Sequence, residues 1–129
     1  MYNCSILFSS DNGNGYSTYQ IQGKLNRIGG LNKISFSIEK DGSLSYVFSV
    51  LESKVMLTTK GDFCYSFCLE KGKTFNFLIE AMKKQFNASV YCKDLVVSVT
   101  EKQIEVCAKY SLDFSGNKSK NKIKLKVNL

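Results

Sequence analysis

The sequence predicts an all-β domain, an antiparallel meander of short strands closed into a barrel. Three observations carry that prediction. Apolar residues alternate with polar ones along most of the chain, the period of strands with one buried face. Turn residues recur at spacings of about 8–12 residues, as they do in barrels and sandwiches. Proline is absent, so Gly, Asn and Asp supply the punctuation. The 129 residues fit a single domain spanning positions 1–129.

The first alternating set is Tyr2, Cys4, Ile6 and Phe8, broken by Asp11-Asn12-Gly13-Asn14-Gly15, whose Asn and Gly accept the positive φ of tight turns. Tyr16 to Leu25 is the second strand, ending near Gly29-Gly30, and Ile34, Phe36 and Ile38 mark a third. Asp41-Gly42 is a hairpin signal, followed by Leu44, Tyr46, Phe48 and Val50 at period two. Val55, Met56 and Leu57 follow, closed by Gly61-Asp62. Phe63, Tyr65, Phe67 and Leu69 make the cleanest alternation, predicting that Phe63, Tyr65 and Phe67 are buried on one face. Lys71-Gly72-Lys73 then turns the chain back.

Residues 74–86 fit two periods. Phe75, Leu78, Ile79, Met82 and Phe86 form a helical face that Thr74 caps, while Phe75, Phe77 and Ile79 alternate as in a strand; on pattern alone the helix is favoured. Strand pattern resumes at Ser89 to Cys92, Val96 to Thr100 and Ile104 to Tyr110. Leu112 and Phe114, then Ile123, Leu125 and Val127, mark the last two strands around a Ser115-Gly116-Asn117 turn.

Hydrophobic residues make up 43% and charged residues 22%, enough apolar material for a core and too much for intrinsic disorder. The formal charge of +7 is concentrated: Lys118, Lys120, Lys122, Lys124 and Lys126 lie in a C-terminal stretch without Asp or Glu. Arg27 is the sole Arg. Readers of nucleic-acid sequence lean on the planar guanidinium fork, so this Lys bias points first to solubility. Cys4, Cys64, Cys68, Cys92 and Cys107 are odd in number, and residues 1–10 lack the pattern of a secretory signal. The expectation is a soluble cytoplasmic protein with reduced thiols and no membrane span.

Val55-Met56-Leu57-Thr58-Thr59-Lys60-Gly61, then Phe67 and Gly72, then Tyr110-Ser111-Leu112-Asp113-Phe114 and Asn121-Lys122-Ile123-Lys124-Leu125 together resemble the YwiB-like proteins. These are a bacterial family of unknown function with a lipocalin-like (calycin-type) β-barrel. The resemblance runs from about Ser35 to Val127. It implies eight to ten antiparallel strands, and makes residues 74–86 a strand entering a turn rather than a helix. The family's turn contains Pro or Gly where this chain has Ala81-Met82-Lys83-Lys84, which leaves a short helical turn open there. No catalytic or binding residues come with the family.

The chain has no His, so it lacks the usual general base, the Ser/His and Cys/His pairs and the commonest metal ligand. Cys64 and Cys68 have the wrong spacing for a zinc knuckle, and four positions along a strand separate them by about 13 Å. They read as small packing residues. A cross-strand carboxylate pair such as Glu101 with Glu105 has nothing to distinguish it, and Gly13-Asn14-Gly15 lacks the third glycine of a phosphate loop. No enzyme, metal or cofactor is expected.

Two binding readings remain. Tyr46, Phe48, Phe63, Tyr65 and Phe67 line a barrel interior suited to a small hydrophobic ligand, unless the same rings fill it. Alternatively, the stripe from Lys118 to Lys126 projects ammonium groups about 6.6–6.8 Å apart, a repeat suited to a nucleic-acid backbone. The plainer account of the stripe is that Lys keeps an exposed strand soluble and blocks edge pairing. A third role is a protein-interaction module joined through an exposed strand edge.

Overall fold

The computed structural model describes residues 2–13, 15–39 and 43–129. Ten antiparallel strands follow one another: β1 (Tyr2–Asp11), β2 (Tyr16–Ile28), β3 (Leu31–Glu39), β4 (Ser43–Val50), β5 (Lys54–Lys60), β6 (Phe63–Glu70), β7 (Thr74–Ala81), β8 (Lys84–Val99), β9 (Gln103–Phe114) and β10 (Asn117–Asn128). Each pairs with its neighbours in sequence, and β1 pairs with β10 to close the barrel. The closing register sets Ser5–Asp11 against Asn128–Lys122. The Asp41-Gly42 hairpin signal lies outside the described residues, although Glu39↔Ser43 pairing places a β3–β4 hairpin around it.

The period-two pattern drives this architecture, because inward residues meet at the barrel axis. Ile6, Leu25, Ile34, Phe48, Val50, Val55, Phe67, Leu69, Ile104, Val106, Leu125 and Val127 are all buried in one core. Nine of the ten strands contribute to that cluster; β7 packs on it through Phe77. At one end the core is aliphatic. Toward the other it becomes aromatic, in two groups: Phe36 stacks on Phe48 at 5.9 Å and on Tyr46 at 5.3 Å, while Phe67 stacks on Tyr65 at 5.5 Å and meets Phe77 and Tyr110 edge-on or tilted.

Residues 74–86 are not helical. They form β7 and the start of β8, joined through the two-residue turn Met82-Lys83 between paired Ala81 and Lys84. The inward positions explain the correction: Phe77, Ile79 and Ala81 continue one sheet face, and Leu78 and Met82 of the proposed helical face are exposed instead. Both turn residues have positive φ, 52° and 62°, the geometry that two-residue hairpins need to match strand twist. Ser115-Gly116 repeats it between β9 and β10, at 51° and 87°. The two strands expected at Ser89–Cys92 and Val96–Thr100 are one, β8, interrupted by a bulge at Lys93 between the pairs Cys92↔Tyr110 and Asp94↔Lys109.

Besides the β1–β10 seam, which leaves Asn117–Asn121 unpaired with β1, two seams are markedly incomplete. β2 pairs with β3 from Lys24 onward, and β6 pairs with β7 at Phe63↔Ala81 and Cys64↔Glu80. Gly23 sits where β3 leaves β2. A Cβ there would run into Ile6 Cδ1 and lie 2.7 Å from the Ser35 carbonyl oxygen, so this close approach requires glycine.

Candidate functional site

The hairpins β1–β2, β3–β4, β5–β6, β7–β8 and β9–β10 all turn at the aromatic end of the barrel, making it a mouth. An apolar cleft of about 290 Å³ opens there. Leu44 and Tyr46 of β4 and Phe63 and Tyr65 of β6, the two strands flanking β5, form much of its wall. Ile79 of β7 and Leu112 and Phe114 of β9 complete it, with Thr59 of β5. Among the described residues no charged side chain lines the cleft.

Of the five interior residues singled out by the alternation, the structure brings Tyr46, Phe63 and Tyr65 to the cleft. Phe63 shares the inward face but stands at the rim, 50% exposed, because β6 begins there and nothing caps it; its expected burial is corrected. Phe48 and Phe67 are fully buried beneath, so they fill the barrel rather than line a space. The interior is thus packed below and open above. Leu44, Leu112 and Phe114 were legible as inward strand positions but not as a site. Ile79 was hidden by the helix–strand ambiguity, and Thr59 by its polarity.

The cleft's polar atoms are hydroxyls. Thr59 is buried, and its Oγ1 donates to the Phe63 carbonyl at 3.1 Å, tying the β5–β6 turn. Burial pushes the Tyr65 phenol up to about 12, helped by nearby Tyr46 and partly offset by a hydrogen bond with the Thr59 hydroxyl. Burial raises Tyr46 in the same sense, with Tyr19 adding to it. Deeper in, burial raises Tyr110 further, with Tyr65 and Tyr46 contributing. These phenols therefore stay neutral at ordinary pH and present hydrogen-bonding groups in an apolar surround.

The basic stripe lies on β10 as expected, with Lys118, Lys120, Lys122 and Lys124 exposed and Lys126 half-buried. Lys122, Lys124 and Lys126 do not guard an edge, because there β10 is held between β1 and β9, whereas Lys118 and Lys120 lie on the stretch of β10 that pairs with β9 alone. Among the described residues no strand is a free edge along its whole length, and unpaired stretches remain at the β2–β3, β6–β7 and β1–β10 seams. Arg27 is spent elsewhere, its guanidinium donating to the Thr100 carbonyl at 3.0 Å.

The thiols are free, with Cys4 and Cys92 buried and Cys64, Cys68 and Cys107 half-buried. Glu105 pairs with Lys126 rather than with Glu101. Among the described residues, no group of three or more Cys, Asp or Glu is arranged to hold a metal ion.

No protein-family model and no curated protein matches the sequence. The fold does match. The chain is similar to the crystal structure of the ywiB protein from Bacillus subtilis, with a TM-score of 0.79 over 98% of this chain and 89% of that one, at 10% sequence identity. At that identity the likeness establishes a shared barrel fold.

Proposed function

We propose that this protein is a non-enzymatic, cytoplasmic binding barrel of the YwiB-like, lipocalin-like type that holds a small, uncharged hydrophobic molecule in its mouth. The observation that carries the reading is the apolar cleft of about 290 Å³, lined by aromatic and aliphatic side chains with no charge. Ligand sites are concave, mainly apolar and equipped with a few polar groups, and this one sits at the small end of their usual size. The Tyr46, Tyr65 and Thr59 hydroxyls supply the polar groups. A carboxylate ligand is disfavoured, since among the described residues no cation stands in the cleft to offset its desolvation. The quoted motifs from Val55 to Leu125 support the family assignment alongside the fold.

Nile red, a neutral apolar dye, tests the reading. Its fluorescence should rise saturably with the wild-type protein and report displacement by competing neutral ligands. Leu44→Trp fills the cleft from one wall and should abolish the rise while leaving the circular-dichroism melt near that of wild type. No enhancement with wild type, or equal enhancement with the plugged variant, would remove the mouth as a binding site.

A further inference from the structure

The lysine stripe of β10 is not uniform. Its ends face acids: Lys118 is opposite Asp113, and Lys126 Nζ lies 3.8 Å from Glu105 Oε1. Its centre faces another cation on one side, where Lys122 is directly opposite Lys109 of β9, and Asp11 of β1 on the other. Like charges directly across a sheet are destabilising. The β8 bulge adds Lys93 at the same place, and bulges commonly serve to re-aim a side chain. With Lys120, these cations line a cleft of about 300 Å³ where the β1–β2 turn meets β10, separate from the apolar mouth.

The charge there is largely uncompensated. Asp11 is the one acid in the lining, and its Oδ1 is engaged by the Gly13 N–H at 2.9 Å. Asp94, opposite Lys109, has its carboxylate 3.7 Å from Lys71 Nζ. Among the described residues, Lys93, Lys109, Lys120 and Lys122 have no ion-pair partner. A concavity whose lining gathers four ammonium groups and one carboxylate carries net positive charge suited to a multiply charged anion.

We propose that this cleft binds the phosphate group of a small ligand, a phosphomonoester or diphosphate. Lys ammonium groups grip phosphate as point charges, without the paired geometry that selects Arg. The site uses two lysines of β10 with one each from β8 and β9, so it is compact rather than a track along the strand.

Amide chemical-shift titration with inorganic pyrophosphate, at fixed ionic strength, is the test. Saturable shifts are expected at Gly13, Lys93, Lys109 and Lys122. The double variant Lys109→Gln/Lys122→Gln should weaken binding at least tenfold. Lys118→Gln/Lys126→Gln removes the same total charge outside the cleft and should change binding less than twofold. The first variant loses the Lys109–Lys122 repulsion together with the cross-strand attractions to Asp94 and Asp11, so its melting temperature should stay near that of wild type, and a folding defect is distinguishable. An unphosphorylated oligothymidylate separates the sources of phosphate: it should bind more weakly than pyrophosphate and be displaced by it. Non-saturating shifts, or equal weakening by both double variants, would overturn the proposal. So would an oligothymidylate that binds more tightly and is affected equally by both variants, since that marks the whole strand as a polyanion track.

Discussion

Tyr46, Tyr65 and Tyr110 carry phenols from three strands into an apolar interior, and burial makes each harder to ionise. For Tyr65 the rise is from an ordinary value of 10.0 to about 12. Below pH 10 the phenol is protonated in both folded and unfolded chains and adds no pH dependence. As pH rises from about 10 to 12, the unfolded chain releases its proton while the native barrel retains it. Stability then falls, by up to about 1.4 kcal/mol per pH unit for each such tyrosine. Burial also raises the thiols of Cys4, Cys68 and Cys92 above their ordinary 9.0, so the urea midpoint should begin to fall as pH approaches 9 and fall further above 10, where the tyrosines add to it. Tyr65→Phe should decline less steeply, and a variant that tracks the wild type through this range would exclude Tyr65 as a contributor.

At the scale of the element, hairpin turns decide which strands form. Met82 and Lys83 both adopt positive φ, a region that costs non-glycine residues about 1 kcal/mol or more each. Neighbouring strands impose that geometry: Phe77, Ile79 and Ala81 on β7 and Ala88 and Val90 on β8 bury their side chains only when the two strands pair. Asn-Gly is the dipeptide suited to this turn. The double variant Met82→Asn/Lys83→Gly should raise stability by about 1 kcal/mol, visible as a melting temperature higher by about 3–6 °C. Since Met82 is 85% exposed, its removal should cost no packing. A lower melting temperature would show that the turn is not strained.

For the whole molecule, closure is the governing fact. β10 is the last strand in sequence and the neighbour of the first, so Leu125 and Val127 pack in one core with Ile6 and Phe8. A barrel has no free edge from which to unravel. Leu125→Ala leaves a cavity at the closing strand and should cost about 2–5 kcal/mol. The loss should appear as one cooperative transition, with far- and near-ultraviolet circular dichroism melting together. Separate transitions would mean that the β1–β10 seam opens before the rest.

The sequence by itself determined the fold class and most strands, because a two-residue period with one apolar face has a single economical solution. Phe67 and Leu69, Phe48 and Val50, Leu125 and Val127 were all legible as inward pairs and all are buried. The turns at Gly13, Gly29-Gly30, Gly61, Gly72 and Gly116 were legible because glycine marks positive φ or tight bends. What local pattern left open was decided by tertiary pairing. Residues 74–86 fit both periods, with the helical one favoured by pattern alone, and the β8 ladder selects the strand. Lys93 gives no sign of a bulge, which exists to keep both halves of β8 in register with β9. The apolar cleft was legible only through Tyr46, Phe63 and Tyr65 as interior candidates, and the cationic one not at all. Whether Tyr46 and Tyr65 face a void, or Lys109 meets Lys122, depends on contacts between strands far apart in sequence or on exact register, and alternation alone specifies neither.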